Sequence, residues 1–285
     1  MTFNATRLVD QITLKGSLPD GRFTDQELLD LAYDSLLSEI VPMVLEARED
    51  YFVTYKDLSI TANVGAYAVP TRALNGVLRE VKLIRGTNIL NLERKDLEEI
   101  TTSTTGTPTS FYVMGNDIIL DPTPDTTADT LRLYYFIRPS RIVTVAECGR
   151  ITAIVGNTVS ITIPTGWTTA NTFDLVRGKA HFDVLAIDLE ASSVAAGEVA
   201  FTSTVPTSLA VGDYVTLANE TCFPFLPPEG HVALVQSAVT SALESIGDPA
   251  AGVSAQKAEM LKKTFQTVLK TRIQGEVKTL GAQML

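Results

Sequence analysis

The stretch from Pro108 to Pro139 constrains the fold more than any other part of the sequence. It holds two short runs of strand-forming residues on either side of Gly115-Asn116, then a proline-punctuated loop, and then a third run from Leu131 to Ile137. Glycine and asparagine suit the positive φ angles of a two-residue hairpin turn. In the third run apolar residues alternate along one face, as in a half-buried strand. The stretch therefore predicts a β-hairpin followed by a third strand.

A long amphipathic helix precedes this β-rich region. Thr24-Asp-Gln-Glu27 is a capping box, in which the side chains of Thr24 and Glu27 can each bond the backbone amide of the other. The apolar stripe that follows consists of Leu28, Ala32, Leu36, Ile40, Val44 and Ala47. Pro42 lies within this pattern and lacks an amide hydrogen, so we expect a kink or a break there. The pattern predicts helix from Thr24 to Arg48.

The composition of the chain changes at about Val145. From there to Thr221 the chain is rich in Thr, Val, Ala and Gly and poor in Lys and Arg. Gly156-Asn157 marks the turn of a hairpin, and short strand-like runs recur at even spacing, which is typical of a small barrel or sandwich. Because helical patterns resume after Thr221, we interpret this segment as an inserted β-domain.

Two helices are predicted to close the chain. Pro227-Pro228 opens the first, because proline suits a first helical turn, and Gly247 ends it in a left-handed conformation. Ser254 is the expected cap of the second helix. The face that this second helix would bury consists of Ala258, Leu261, Phe265, Val268 and Leu269.

Together these patterns predict an α+β fold. A helical bundle and a β-sheet core would carry an inserted small β-barrel or β-sandwich and end in C-terminal helices. The expected domains are residues 1–144 for the N-terminal helix and β-sheet core, 145–221 for the inserted β-domain, and 222–285 for the helices that complete the core and for a basic tail.

The chain is apolar, and its charge is uneven. Its mean hydropathy is +0.16 and only 20% of its residues are charged, but no run approaches the ~18 apolar residues of a membrane span. The apolar excess fits β-branched strands and surface that other subunits bury. The N-terminus has no basic region leading into an apolar core, so we expect no secretion signal.

The net charge is −10, and from Lys257 to the end basic residues outnumber acidic ones by six to two. The acidic remainder argues against tight DNA binding, which needs Lys and Arg at the phosphates. The basic end has three interpretations: a solvated helix face, an arm that docks on an acidic partner, or an arm that binds nucleic acid. The third is the least favoured, because such arms usually combine charge with stacking aromatics.

Candidate catalytic groups are few. The sequence lacks a Gly-rich phosphate loop, a dinucleotide fingerprint, H-E-x-x-H and G-x-S-x-G. His181 and His231 are the only histidines, and His181 would share a strand face with Asp183, which is a weak signal for a metal site.

Three carboxylates, Asp117, Asp121 and Asp125, invite comparison with the acid pair of glycoside cleavage. Turn chemistry is the better interpretation of Asp121-Pro-Thr-Pro-Asp125, since Asp bonds its own backbone and Pro restricts φ. We therefore expect a non-enzymatic protein that needs no cofactor and no metal.

Cys148 and Cys222 bracket the proposed insertion, so their sulfurs would be close if its ends are neighbours. We expect reduced thiols.

Four pieces of the chain together resemble the head-to-tail adaptor (connector) proteins of tailed bacteriophages. They are the helix Thr24–Arg48 followed by Tyr51-Phe-Val, the run Tyr67–Pro70 leading into Val77–Ile84, the run Ile118–Pro124 with Leu131–Tyr135, and Leu226–His231 leading into the closing helices.

The resemblance implies a structural virion protein of the neck region, assembled in the host cytoplasm. Such proteins form a ring, commonly of twelve subunits, that joins the capsid portal to the tail and continues the DNA channel. Implied partners are the portal, the next tail or nozzle protein, and fibres that the insertion would meet. Genomic DNA would pass through without being specifically bound, and no membrane is involved.

In this family the C-terminal segment often reaches the portal. The corresponding candidate docking residues are Lys262, Lys263, Phe265, Lys270, Arg272 and Lys278. Two alternatives remain open at this point: a tail-tube or baseplate subunit, and a glycan-binding or glycan-cleaving tail protein.

Overall fold

The computed structural model describes residues 3–99, 104–178 and 183–270. Contacts divide the chain into two compact units, residues 49–138 and residues 1–48 with 139–285. The predicted α+β class is confirmed, with both helices and sheets and with a closed β-barrel. The division into domains 1–144, 145–221 and 222–285 stays a prediction.

The unit of residues 49–138 is built from short strands. They are β1 (Val53–Ser59), β2 (Ala66–Ala68), β3 (Ala73–Arg85), β4 (Asn88–Asn91), β5 (Glu93–Arg94), β6 (Thr105–Gly106), β7 (Ser110–Met114), β8 (Asp117–Asp121), β9 (Thr123–Pro124) and β10 (Thr130–Ile137), with a 3₁₀ turn at Leu97–Glu99. They form a four-stranded sheet in the order β1-β10-β3-β4, a second in the order β2-β8-β7-β5, and a small pair, β6-β9.

The predicted hairpin is confirmed as β7 and β8. Met114 pairs with Asp117 across the turn, where Gly115 has a φ of 64°. The predicted third strand is β10, which lies inside the other four-stranded sheet. Its inward side chains are Leu131, Leu133, Tyr135 and Ile137, all of them buried. Apolar alternation alone therefore identified both the strand and the face that it buries.

The second unit contains the helices α1 (Ala5–Gly16), α2 (Asp25–Ser35), α3 (Val41–Ala47), α4 (His231–Ser245) and α5 (Ala251–Leu269). α1, which the sequence patterns did not indicate, begins with Asn4 accepting the Arg7 amide at 3.1 Å. The predicted capping box of α2 is confirmed. The Thr24 amide donates to Glu27 Oε2 at 2.7 Å, and the Glu27 amide donates to Thr24 Oγ1 at 3.3 Å.

The interruption predicted near Pro42 is also confirmed. A π-helical stretch, Leu36–Ile40, separates α2 from α3, and the Val41 amide donates to the carbonyl of Leu36. Because Pro42 has no amide hydrogen, the ordinary ladder cannot continue through this position, and a wider turn absorbs the mismatch.

A 3₁₀ turn, Pro228–Gly230, leads into α4, and Gly247 follows it with a φ of 69°, as predicted. α4 packs against α1, α2 and α5. The expected cap at Ser254 is wrong, since α5 begins at Ala251 and Asp248 Oδ1 takes up the Ala250 amide at 2.8 Å. The Ser254 hydroxyl is instead buried, where it accepts from Gln236 Nε2 at 2.8 Å.

The inserted segment forms a closed β-barrel, which is one of the two architectures predicted for it, a barrel or a sandwich. After β11 (Arg141–Ile142) and a 3₁₀ turn at Val145–Glu147 come β12 (Gly149–Val155), β13 (Thr158–Ile161), β14 (Thr172–Val176), β15 (Val184–Ala195), β16 (Glu198–Phe201), β17 (Tyr214–Leu217) and β18 (Glu220–Thr221). The barrel order is β12-β13-β16-β15-β14-β17. The buried interior includes Val159, Phe173, Leu175, Val199 and Val215.

The chain enters and leaves the barrel through two neighbouring strands. β11 and β18 form a parallel pair in which Arg141 lies opposite Glu220 and Ile142 opposite Thr221. The predicted hairpin at Gly156-Asn157 is confirmed as the β12–β13 connection, with Val155 paired to Thr158. The barrel thus starts and ends at nearly the same place in the unit.

Candidate functional site

The three carboxylates considered for glycoside cleavage hold structural positions. Asp117 and Asp121 are the first and last residues of β8, so about 13 Å of strand separates them, whereas glycosidase pairs lie about 5–9.5 Å apart. Asp121 accepts from Ser110 Oγ at 3.3 Å and pairs with Lys95 Nζ at 3.5 Å. Asp125 is exposed beyond β9. Among the described residues no group of three or more His, Cys, Asp or Glu side chains is arranged to hold a metal.

His231 is a packed residue at the start of α4. Its ring stacks on Phe3 with centroids 4.2 Å apart, and within the described residues its Nε2 atom has no hydrogen-bond partner. Burial lowers the pKa of His231 to about 4, against a smaller opposing effect of a hydrogen bond to the backbone of Leu226. The imidazole is therefore neutral at physiological pH. His181, the other histidine, lies outside the described residues.

The two cysteines meet because β11 and β18 lie side by side. Cys148 and Cys222 follow these strands closely, and both are buried free thiols. A hydrogen bond between the two thiols raises the pKa of Cys148, and burial and the nearby charges of Glu220 and Glu147 raise it further. The thiol of Cys148 is therefore chemically quiet, since the thiolate is the reactive form, and burial shields Cys222.

Two of the candidate portal-docking residues hold α5 in place. Phe265 is only 2% exposed, and its ring lies against Gly230. Lys262 pairs with Glu39 at 3.1 Å and also with Glu259, and its side chain is 14% exposed. Burial disfavours the ammonium, but the hydrogen bonds to Glu259 and Glu39 outweigh it and the pKa of Lys262 is raised.

The remaining docking candidates are of two kinds. Lys263 and Lys270 are exposed on and just after α5, whereas Arg272 and Lys278 lie outside the described residues. The docking role of all six residues stays a prediction. Within that set, the exposed Lys263 and Lys270 are the ones that a partner could reach without displacing an interaction inside the chain.

An exposed apolar stripe on α5 was missed by the sequence analysis. Val253, Met260 and Val268 are 72%, 62% and 58% exposed. Val268, which was predicted on the buried face, belongs to this stripe instead. The signal was present in the spacing, because residues seven or fifteen positions apart on a helix lie on the same side. We call the outward face of Val253, Lys257, Met260 and Val268 the outer face of α5.

A second overlooked surface is acidic. Glu27, Leu31 and Asp34 recur along α2 at the spacing of one helix face, away from the buried Leu28 and Ala32. Residues 24–50 contain eight acidic side chains and one basic one. We call the row Glu27, Leu31 and Asp34 the outer face of α2.

The unit of residues 49–138 has a groove of its own, lined by both apolar and polar residues. It has a volume of about 590 Å³, and its lining includes Val77, Val81, Leu92, Phe111 and Val113. Arg79 and Arg94 also line it. Such grooves with charged margins are characteristic of contact surfaces for other proteins.

In the described part of the chain, no helix combines the length and the apolar character that crossing a membrane requires. Each unit presents exposed apolar and charged side chains, which is typical of a protein that works by contact with other macromolecules.

Comparison with known proteins agrees with this class. The family model described as SU10 adaptor protein matches residues 4–170, more than half of the chain. The chain therefore belongs to the SU10 adaptor protein family, a family of bacteriophage adaptors. It is accordingly a phage structural adaptor and a component of the virion. The match runs from α1 to the first hairpin of the barrel, so α4 and α5 lie beyond it. No curated protein matches the chain.

Proposed function

We propose that this adaptor assembles as a ring of identical subunits, twelve by resemblance, beneath the capsid portal. The ring joins the portal to the tail and continues the channel through which the genome leaves. Membership of the SU10 adaptor protein family is the observation that carries the proposal. The protein acts by assembly, not by catalysis, and needs no cofactor. It occupies the neck of the virion after assembly in the host cytoplasm.

Exposed apolar surface supports a ring. In a closed ring each subunit presents two different faces, and each face buries surface that a lone molecule would leave in water. The outer face of α5 carries exposed apolar side chains of this kind. Exposed apolar side chains that share one face are typical of a surface that a partner covers.

The basic C-terminal stretch supplies the contact with the portal. Lys263 and Lys270 are exposed cations, and Arg272 and Lys278 follow them in the sequence. Lys262 and Phe265 hold α5, the helix on which Lys263 lies and after which Lys270 follows. A cationic segment of this kind docks on an acidic surface, and its binding weakens as salt rises.

The acidic body suits passage of DNA. With a net charge of −10, the chain repels phosphates and discourages the genome from adhering to the channel wall. A map of the assembled neck in which the acidic side chains lie away from the lumen would remove this part of the proposal. The barrel, as a separate module, is the surface that fibres or the next tail or nozzle protein would contact.

The proposal is tested by imaging and weighing the assemblies. Purified protein is examined by mass photometry and negative-stain microscopy, alone and mixed with the portal of the same phage. Rings that cap the portal are the expected result. A protein that stays monomeric in both samples, or that binds polysaccharide instead, would contradict it.

A further inference from the structure

α5 carries an arrangement of apolar and basic side chains that nothing within the described chain covers. Val253, Lys257 and Met260 follow each other at four and three residues, so they form one row on the helix. The row lies away from the face that buries Ala258, Phe265 and Leu269. An apolar residue thus stands on each side of a lysine.

The lysine of this face is not neutralised locally. Lys257 forms no ion pair with any residue in the ranges 3–99, 104–178 and 183–270. Lys15, at the end of α1, lies close to Lys257, and burial and then the charge of Lys257 lower the pKa of Lys15. The inward Lys262, by contrast, has two carboxylate partners. Uncompensated cations beside apolar side chains favour an acidic partner with apolar surface of its own.

The chain contains a surface with the reverse arrangement. On the outer face of α2, the half-buried Leu31 stands between the carboxylates of Glu27 and Asp34. Asp34 has no ion pair with the described residues, and Glu27 is engaged only with Thr24 of the same helix. The row of acid, leucine and acid is complementary to the row of apolar residue, lysine and apolar residue.

The two rows lie on helices of the same unit that have different packing partners. α2 packs on α4 and α1, whereas α5 packs on α4 and α3. The α5 row of one copy can therefore contact the α2 row of a second copy, while its own α2 row contacts the α5 row of a third. Contacts of this head-to-tail kind are those that close into rings.

We propose that the outer face of α5 in one copy packs against the outer face of α2 in the next copy around the ring. The inference rests on the proposed function and names the surfaces that form its subunit interface. Val253, Met260 and Leu31 exclude water at the centre, and the lysines and carboxylates around them set the register. The partner is a second copy because one chain carries both halves of the match.

The test combines apolar and charge variants in the full-length chain. Met260→Asp places a carboxylate at the centre of the interface, and we expect about a tenfold or greater rise in the protein concentration needed for rings, measured by mass photometry. Val155→Asp is the matched control, because Val155 is 75% exposed at the tip of the β12–β13 hairpin. This control is expected to assemble like the unmodified protein. Thermal melts check that each variant is folded.

Charge exchange identifies the partner surface. Lys257→Glu and Asp34→Lys are each expected to weaken assembly, and the double variant in one chain is expected to restore it, because every interface then regains an opposite pair. Rings that form equally well from Met260→Asp and Val155→Asp would overturn the interface while leaving the ring intact. Failure of Asp34→Lys to rescue Lys257→Glu would also overturn it. If the unmodified protein forms no ring even on the portal, that result contradicts the proposed function itself and not only this interface.

Discussion

The ring of Phe265 fills the space that a side chain on Gly230 would need. A Cβ atom built on Gly230 would lie 2.6 Å from Cζ of Phe265, closer than any ordinary contact. The φ of Gly230 is −80°, so alanine could adopt the backbone and only the ring stands in the way. This close approach fixes α5 to the turn that begins α4.

Gly230→Ala is therefore expected to lower the free energy of unfolding by about 1–3 kcal/mol, the usual cost of overpacking. Phe265→Ala is expected to cost about 3–5 kcal/mol through the cavity that it leaves. Urea unfolding measures both. The matched control is Gly252→Ala in the first turn of α5, where a Cβ meets nothing within 4 Å, and this change is expected to be neutral or slightly stabilising. Equal effects of the two glycine substitutions would contradict the packing account.

His231 is expected to make stability sensitive to acid. Its pKa is lowered from 6.5 to about 4 in the folded chain, so between these values the unfolded state binds a proton that the folded state excludes. The stabilisation is complete above about pH 6.5, decreases as pH falls, and is gone near pH 4.

Relative to His231→Phe, which keeps a ring against Phe3, the unmodified protein should lose about 2 kcal/mol more between pH 7 and pH 5. Urea titrations of both proteins at the two pH values provide the comparison. Parallel pH profiles would show that His231 is not the responsible group.

The thiols of Cys148 and Cys222 are expected to resist alkylation. Both are buried and so shielded from the reagent, and the pKa of Cys148 is raised by its hydrogen bond to Cys222 and by burial, so little Cys148 thiolate forms near neutral pH. Mass spectrometry after iodoacetamide treatment should find both residues unmodified in the folded protein and fully modified in urea. Rapid labelling of either thiol without denaturant would contradict the packing of this region.

The ion pair of Asp129 with Arg85 is expected to stabilise the unit of residues 49–138. Asp129 is almost fully buried and accepts from Arg85 Nε at 3.1 Å and from Nη2 at 2.7 Å. Asp129→Ala removes the buried carboxylate that accepts from Arg85, and we expect a clear loss of unfolding free energy. Lys82→Ala, which breaks the surface pair with Glu80, is the control and should cost much less. Urea unfolding compares the two, and equal losses would argue against a special role for the Asp129 pair.

Local chemistry explains what the sequence predicted correctly. The capping box at Thr24, the break before Pro42 and the turn at Gly115-Asn116 each depend on residues within one or two turns of chain, and all are present. α1 was missed because its apolar pattern is short, with Leu8, Val9 and Ile12 as its main buried positions. Its N-cap, Asn4, was the one local signal available.

The candidate site was harder to predict, because periodicity shows which residues share a face and not what covers that face. Phe265 and Lys262 are typical of a docking surface by type, yet Gly230, Glu39 and Glu259 of the same chain already contact them. Val268 has an apolar side chain and is nonetheless exposed. These assignments depend on tertiary neighbours far away in sequence.

The parallel pairing of β11 with β18 has a consequence for how such a chain can change. The chain enters the barrel after β11 and leaves it before β18, and these two strands are neighbours. The barrel therefore hardly changes the distance between the chain segments on either side of it. A related chain could gain or lose the barrel by a single insertion or deletion. A short loop would then be enough to join the two flanking segments. The barrel could in this way diversify among related adaptors while the helices stay unaltered.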